Sequence, residues 1–465
     1  MTAQQIRALG PALAQFVGRF ADCFAQPNTR DHLIEYVRGQ LSDLPRKSVE
    51  PIAHMAEVPP RTLQEFLSLS DWDHERLRDR VQEIVAGEHA DAEGTLIVDE
   101  SGHPKKGNQT ACVQPQYCGN TGKIDNCVMS VHLSYASHDN RFRTMLDSDL
   151  FLPEKSWTDP DRRRKAEIPD SVVYRPKYII ALEQLRRARD NGVRFGWVTA
   201  DEWYAGKPVF LSGLEELGMR FVLEIPRNLR GWLHDPASSG AEPSEVENLC
   251  RYSRPMMRQE WKAFHIKDTE KGPMVWEAKA APFWMRREGR VVGPYWLVMA
   301  RDVLHPAEVK YFLSNASAGT PLEAILHVAF SRWPIERCLE DEKTELGLSH
   351  FEVRKYHAVL RHMLITQVSH LFLAAQTERL RGEKCGHHDL PGADSQRRFA
   401  GCVGFEQRGS NPTNPARGRT AAADSGEERS GAGVAYKASC GPIDSQRYRA
   451  GEDRMLHPAV TAIAL

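Results

Sequence analysis

The chain has 465 residues, with 61 Lys and Arg set against 62 Asp and Glu, for a formal net charge of −1. That balance excludes a partner named by total charge alone, and the length suffices for two or three domains with at least one large core. Nine cysteines with no Cys-x-x-Cys pair argue against a zinc ribbon and suit free thiols in a reducing compartment.

The chain opens without the basic-then-apolar pattern of a leader. No run approaches the ~18 apolar residues of a membrane span, so a cytoplasmic protein with no membrane partner is expected. Residues 1–90 read as an all-α region. Leu9, Leu13, Phe16, Val17 and Phe20 recur at helical spacing, as do Leu33, Tyr36, Val37 and Leu41. Two short helices then flank Val58-Pro-Pro60. They suit a helix-turn-helix with Arg61, Thr62 and Gln64 facing DNA, and equally an ordinary helical bundle.

Strands replace helices after residue 91. Thr95-Leu-Ile-Val-Asp99 is an apolar β-branched run ending in an acid, after which Gly102 and Pro104 break the chain. Cys127–Ala136 alternates strongly, and a third strand falls within Phe142–Leu152. A helix over about Ser171–Asp190 is closed by Asn191-Gly192, and Val193–Asp201 repeats the strand-to-acid device. A helix near Pro208–Leu217 and a strand Arg220–Ile225 complete the segment 91–225.

Three successive strands, helix, strand, helix, strand is the element order of a ribonuclease H-like fold, an α/β class. In that fold the first and fourth strands lie side by side, which brings Asp99 and Asp201 together. Residues 226–315 read as a mainly β insertion, and 316–381 as the final helices, Leu322–Phe330, the Glu336 helix and Ala358–Leu380. Basic clusters at Asp161–Lys165, Arg186–Arg189 and Arg286–Arg290 read as solvated faces more often than as phosphate contacts. The tail, 382–465, is rich in Gly, Arg and Ser and aperiodic, so it reads as disordered or as an out-of-frame translation. Its Cys385-Gly-His-His388 lacks further ligands for a metal, and its echo of Asp394-Ser-Gln-Arg at Asp444 is too short for a repeat.

Two strand-end aspartates and the helical Glu336 form a cage of hard oxygen ligands for Mg²⁺ or Mn²⁺. Two such ions about 4 Å apart can activate an attacking oxygen and stabilise a leaving one in phosphoryl transfer. Arg332 lies four residues before Glu336 on the same helical face, and Lys343 lies two turns beyond it. Glu340, Asp341, Glu342 and Glu345 crowd the same segment, so a surface salt-bridge ladder is the competing reading.

Leu96–Gly107, Gln116-Tyr-Cys-Gly119 and Gly122–Asn126 resemble the first catalytic block of bacterial insertion-sequence transposases of the DDE class. Thr199-Ala-Asp201-Glu-Trp-Tyr-Ala-Gly206 resembles their second block. Arg332-Trp-Pro-Ile-Glu336, with Lys343 seven residues on and Gly347–Arg354 after it, resembles their third. The blocks occur in order over about residues 10–380.

The resemblance implies Mg²⁺-dependent cleavage at inverted-repeat ends of double-stranded DNA and joining of the 3′-hydroxyl to target DNA, within a DNA-bound complex that could be a homodimer. Asp99, Asp201 and Glu336 would be metal ligands, Arg332 and Lys343 their support, and Lys105 and Lys106, with Arg61 and Gln64, DNA contacts. Many relatives carry Tyr three residues before the Arg, where this chain has Ala329. An inactive remnant that binds inverted repeats, and a nuclease without strand transfer, are the other readings.

Overall fold

Apolar residues at helical spacing, with prolines at helix starts where a missing N–H is harmless, shape the first ninety residues. In the computed structural model, which describes residues 3–238, 240–269 and 272–384, they form α1 (Ala3–Gly18), α2 (Pro27–Gln40), α3 (Val49–Met55), α4 (Pro60–Ser68) and α5 (His74–Glu88). The expected stripe residues, from Leu9 to Phe20 and from Leu33 to Leu41, are all buried.

Four strands follow: β1 (Thr95–Pro104), β2 (Gln114–Cys118), β3 (Lys123–Ala136) and β4 (Arg143–Leu150). After them come α6 (Pro160–Lys165), α7 (Lys177–Asp190), β5 (Trp197–Thr199), α8 (Glu202–Ala205), α9 (Pro208–Glu216) and β6 (Val222–Glu224). The next segment holds β7 (Arg230–Trp232), β8 (Ser244–Glu245), α10 (Val246–Tyr252), α11 (Arg254–Met257), β9 (Lys262–Thr269), β10 (Gly272–Arg287), β11 (Arg290–Asp302) and β12 (Val309–Ser314). Then come α12 (Leu322–Phe330), α13 (Trp333–Thr344) and α14 (Tyr356–Lys384). The Cys385 cluster, the Asp394 and Asp444 echo and the aperiodic tail lie outside the described residues.

The first sheet has the order β2-β3-β1-β5, with β4 also on β3. β1, β3 and β4 pair antiparallel, as three strands joined by short links should, whereas β5 arrives after helix α7 and pairs parallel to β1. The second sheet runs β6-β12-β11-β10-β7-β8, with β9 on β10. A parallel bridge from Val198 to Phe221 ties the start of β6 to β5, so β6 joins the two sheets.

Several local expectations change. β1 does not stop at Asp99. It loses β5 there and continues against β3 to Pro104. Gly102 is therefore a strand residue, not a breaker: a Cβ there would lie 2.7 Å from the Cys118 Sγ. Helix α7 starts six residues late, after Pro176, because the residue before a proline avoids the helical region. Of the basic clusters, Arg162 stacks 3.9 Å over Trp157 and Arg163 donates to the carbonyls of Pro169 and Val172. Arg287 pairs with Glu215. These cations hold the fold. Six cysteines, Cys23, Cys112, Cys118, Cys127, Cys250 and Cys338, are free and buried.

One continuous apolar core joins the N-terminal helices, the first sheet and α14, and a smaller one lies between the second sheet and α12. The stretch Tyr356–Arg381 of α14 is long and apolar enough to cross a membrane, contrary to the sequence reading, but 94% of its most apolar window is buried in the protein. It carries a polar seam that a lipid-facing helix would not. Gln40 of α2 donates to the Thr366 Oγ1 and accepts from the Ser369 Oγ, each at 2.8 Å, and the Tyr36 hydroxyl meets the His362 Nδ1 at 2.8 Å. Arg361 donates to the carbonyls of Leu67, Ser70 and Trp72 at 3.2, 3.0 and 2.9 Å, and lies 4.5 Å from the Trp72 ring centroid.

Arg361→Met would leave these carbonyls of the α4–α5 connection without donors at similar side-chain volume. Chemical denaturation should show a loss of roughly 3 kcal/mol, and a loss below about 0.5 kcal/mol would contradict this role.

Candidate active site

Thr95 lies opposite Trp197 and Ile97 opposite Thr199 in the parallel β1–β5 pair. Two residues further along each chain stand Asp99, still in β1, and Asp201, just past the end of β5, so the two acids lie at the same level. Their local settings differ. Asp99 stays within β1, opposite His132, and its Oδ1 accepts the Glu100 N–H at 2.8 Å. Asp201 has left β5 and caps α8, its Oδ1 accepting the N–H groups of Trp203 and Tyr204 at 3.0 and 3.2 Å.

Arg332, immediately before α13, links the acids. Its guanidinium lies 3.6 Å from the Asp99 Oδ2, 2.6 Å from the Glu336 Oε1 and 3.9 Å from the Glu224 Oε2. A planar fork with five N–H donors suits several carboxylates at once. Among the described residues no three His, Cys, Asp or Glu side chains close on one point in a metal-holding set. The guanidinium lies among the acids instead.

Glu224 was not singled out in the sequence. It ends β6 and also pairs with Lys310 at 3.1 Å. The signal was present: Phe221-Val-Leu-Glu224 repeats the apolar-run-then-acid pattern of Val98-Asp99.

The supporting cations divide. The Lys343 ammonium donates to the Asn120 Oδ1 at 2.8 Å, and Asn120 in turn donates to the Gly102 carbonyl at 2.5 Å. Asn120 in the β2–β3 turn thereby fastens α13 to β1. Burial pushes the Lys343 ammonium below its usual range, and the Asp99 charge works against that shift. Lys105 points inward, donating to the carbonyls of Ser349 and Phe351 at 3.2 and 2.7 Å, with its ammonium 3.3 Å from the Phe351 ring centroid. Its donors are committed within the fold. Lys106 is exposed. Arg61 and Gln64 lie on the exposed side of α4, which buries Leu63, Phe66 and Leu67, and Thr62 is half-buried. Arg61 pairs with Glu65 at 2.6 Å. The fold does not bring α4 into the acid cluster through any hydrogen bond or ion pair among the described residues.

Burial is the largest influence on Asp99 and raises its carboxyl to about 7. Arg332 opposes that rise, whereas the Asp201 and Glu336 charges add to it. Burial also works against the charge on Arg332, but Glu336, Asp99, Glu224 and Asp201 outweigh it and raise its pKa. The acids thus feel one another, and Arg332 is their common counter-charge.

Because the folded carboxyl of Asp99 titrates near 7 rather than 3.8, the native state holds a proton that the unfolded chain releases between those values. Metal-free stability therefore falls with rising pH in that window. Asp99→Asn keeps the acceptor for Glu100 and removes the charge. Melting in EDTA should show an advantage for the variant that grows from pH 4 to pH 7 by up to ~1.4 kcal/mol per pH unit. An advantage independent of pH would refute the assignment.

The family described as DDE superfamily endonuclease matches residues 19–276, a span that holds Asp99 and Asp201 and ends before Glu336. The probable transposase for insertion sequence element IS701 of Microchaete diplosiphon is 31% identical over 193 residues, which are 41% of this chain and 47% of that protein. The chain therefore spans about half the length of this curated relative. With more than half of its residues inside the family's match, the chain belongs to the DDE superfamily endonucleases.

Proposed function

We propose that the protein is an insertion-sequence transposase, which cuts double-stranded DNA at the inverted-repeat ends of its element and joins the exposed 3′-hydroxyl to target DNA. The observation that carries this reading is the shared level of Asp99 and Asp201 on adjacent strands, with Arg332 linking Asp99 to Glu336. The neighbour order β4-β3-β1-β5 in the first sheet supports a ribonuclease H-like core with residues 226–315 as an insertion.

Asp99, Asp201 and Glu336, with Glu224 beside them, supply oxygen donors of the kind Mg²⁺ or Mn²⁺ takes, around the place that the Arg332 guanidinium now holds. Bound there, divalent cations would polarise the scissile phosphate and activate the attacking oxygen.

The protein's own contribution is positional. Asp201 has one oxygen fixed by two backbone N–H groups. Asp99 is held in a continuous strand. Glu336, the most exposed of the three at 45%, sits in the first turn of α13 and has room to move. Arg332, once cations neutralise the acids, is free to turn its donors toward a phosphate or to keep Glu336 oriented. Lys343, held by Asn120, adds a positive charge that the Asp99 carboxylate feels. DNA phosphates would be repelled by the bare acids, so cations must offset these charges for the backbone to approach. The exposed Arg61 and Gln64 on α4 support end recognition away from the acids.

The test is cleavage of a duplex carrying the element's end in Mg²⁺, comparing the native chain with Asp201→Asn. The amide keeps the cap on α8 and loses the charge. Nicking should fall on the order of 10³-fold, the several kcal/mol that metal-assisted stabilisation provides, while duplex binding persists. Equal nicking by both proteins would overturn the reading. Nicking without joined products would leave a nuclease, and binding without nicking by the native chain would leave an inactive remnant.

A further inference from the structure

An exposed indole sits directly beside the acid cluster. Trp203 is 39% exposed, and its backbone N–H is one of the two that fix the Asp201 carboxylate. An indole this open leaves part of its ring free to stack against a ligand.

Two lysines flank it. The Lys207 ammonium lies 4.5 Å from the ring centroid, within cation–π range, and has no carboxylate partner among the described residues. The Lys177 ammonium lies 5.4 Å from the same ring and 5.6 Å from that of Phe151, and it pairs with Glu100 at 2.8 Å. Phe151 in turn meets Tyr174 edge-on with centroids 6.1 Å apart, and Tyr174 is 40% exposed. From Trp203, next to Asp201, a connected strip therefore runs through Lys177 to the rings of Phe151 and Tyr174, with Lys207 on the indole.

This strip has the chemistry of a single-strand path. Rings offer faces on which unpaired bases stack, and the Lys207 ammonium beside the indole can meet a phosphate. Duplex DNA would use the cations but not the rings, because its bases are already stacked. A protein partner would favour a larger apolar patch without charge between the rings. Resting on the DNA reading above, we propose that the strip from Trp203 to Tyr174 holds unpaired nucleotides of a DNA strand next to the reacting phosphate, with Trp203 as the stacking platform and Lys207 as a phosphate contact.

The probe is a duplex with a short unpaired extension containing 2-aminopurine, whose fluorescence is quenched by stacking. It is compared with the blunt duplex in EDTA so that no cleavage occurs. The native chain should bind the extended duplex more tightly and quench the probe. Trp203→Ala should lose the quench and about tenfold of the preference for the extension, and Trp203→Phe should recover most of both. Lys207→Ala should weaken binding of the extended duplex and lower its salt dependence by about one ion.

A native chain with no preference for the extension would overturn the proposal, as would Trp203→Ala retaining the quench. Equal loss of blunt and extended binding by Trp203→Ala would do so too, by assigning the indole to the duplex or to the fold. A change only in sedimentation would assign it to contact between copies. The cleavage reading fails separately: Asp201→Asn leaves the quench intact whether or not the native chain nicks DNA.

Discussion

Gathering carboxylates in a partly dry cleft costs free energy through mutual repulsion and lost hydration, and Arg332 is the group that offsets this cost. Its three acidic neighbours come from three elements, β1, β6 and α13, so a single guanidinium converts a repulsion into a junction. It can do so only if α13 is held in place. Ile335, Cys338, Leu339 and Leu346 bury the inner side of that segment, and the Lys343–Asn120–Gly102 chain fixes its far end to β1. The position of the cation and the packing of the helix are one constraint.

The same junction reaches the second sheet. Glu224 pairs in register with Phe312 of β12 and shares its carboxylate between Lys310 and Arg332. The β-rich segment 226–315 is thus coupled to the acid cluster by backbone ladder and by charge. An event on that sheet has a short physical route to Arg332: shift β12, move Glu224, and alter the balance of acids around the guanidinium.

The parts of this arrangement that were legible in the sequence are those with a local chemical signature. Val98-Asp99 and Ala200-Asp201 end apolar runs, and the helical link between their strands implies parallel neighbours, which the Thr95–Trp197 register bears out. Helix α12 has the bounds its sequence suggests, because Pro321 precedes it and Ser331 follows its apolar face. What depended on a distant partner was not legible. The continuation of β1 to Pro104 is decided by β3, which supplies a ladder through Gly102-His-Pro104, a sequence that would break an isolated strand. The inward turn of Lys105 is decided by the carbonyls of Ser349 and Phe351, about 245 residues away in sequence. The sharing of one core by the first five helices and α14 rests on seams such as Gln40–Thr366 that neither segment announces alone. Glu224 carried the same signature as Asp99 and was hidden only by its place in a strand assigned to structure.

The three acids, finally, are not interchangeable. Asp99 is half-buried and set in an unbroken strand, so its surroundings govern its charge. Asp201 spends one oxygen on the start of α8, so its surroundings govern its direction. Glu336 is the most exposed and is tied to Arg332 by an ion pair from four residues earlier, so the guanidinium governs its direction. Because Asp99, Glu224 and Glu336 all meet Arg332, the guanidinium, rather than any single carboxylate, is the group on which the geometry of the whole cluster turns.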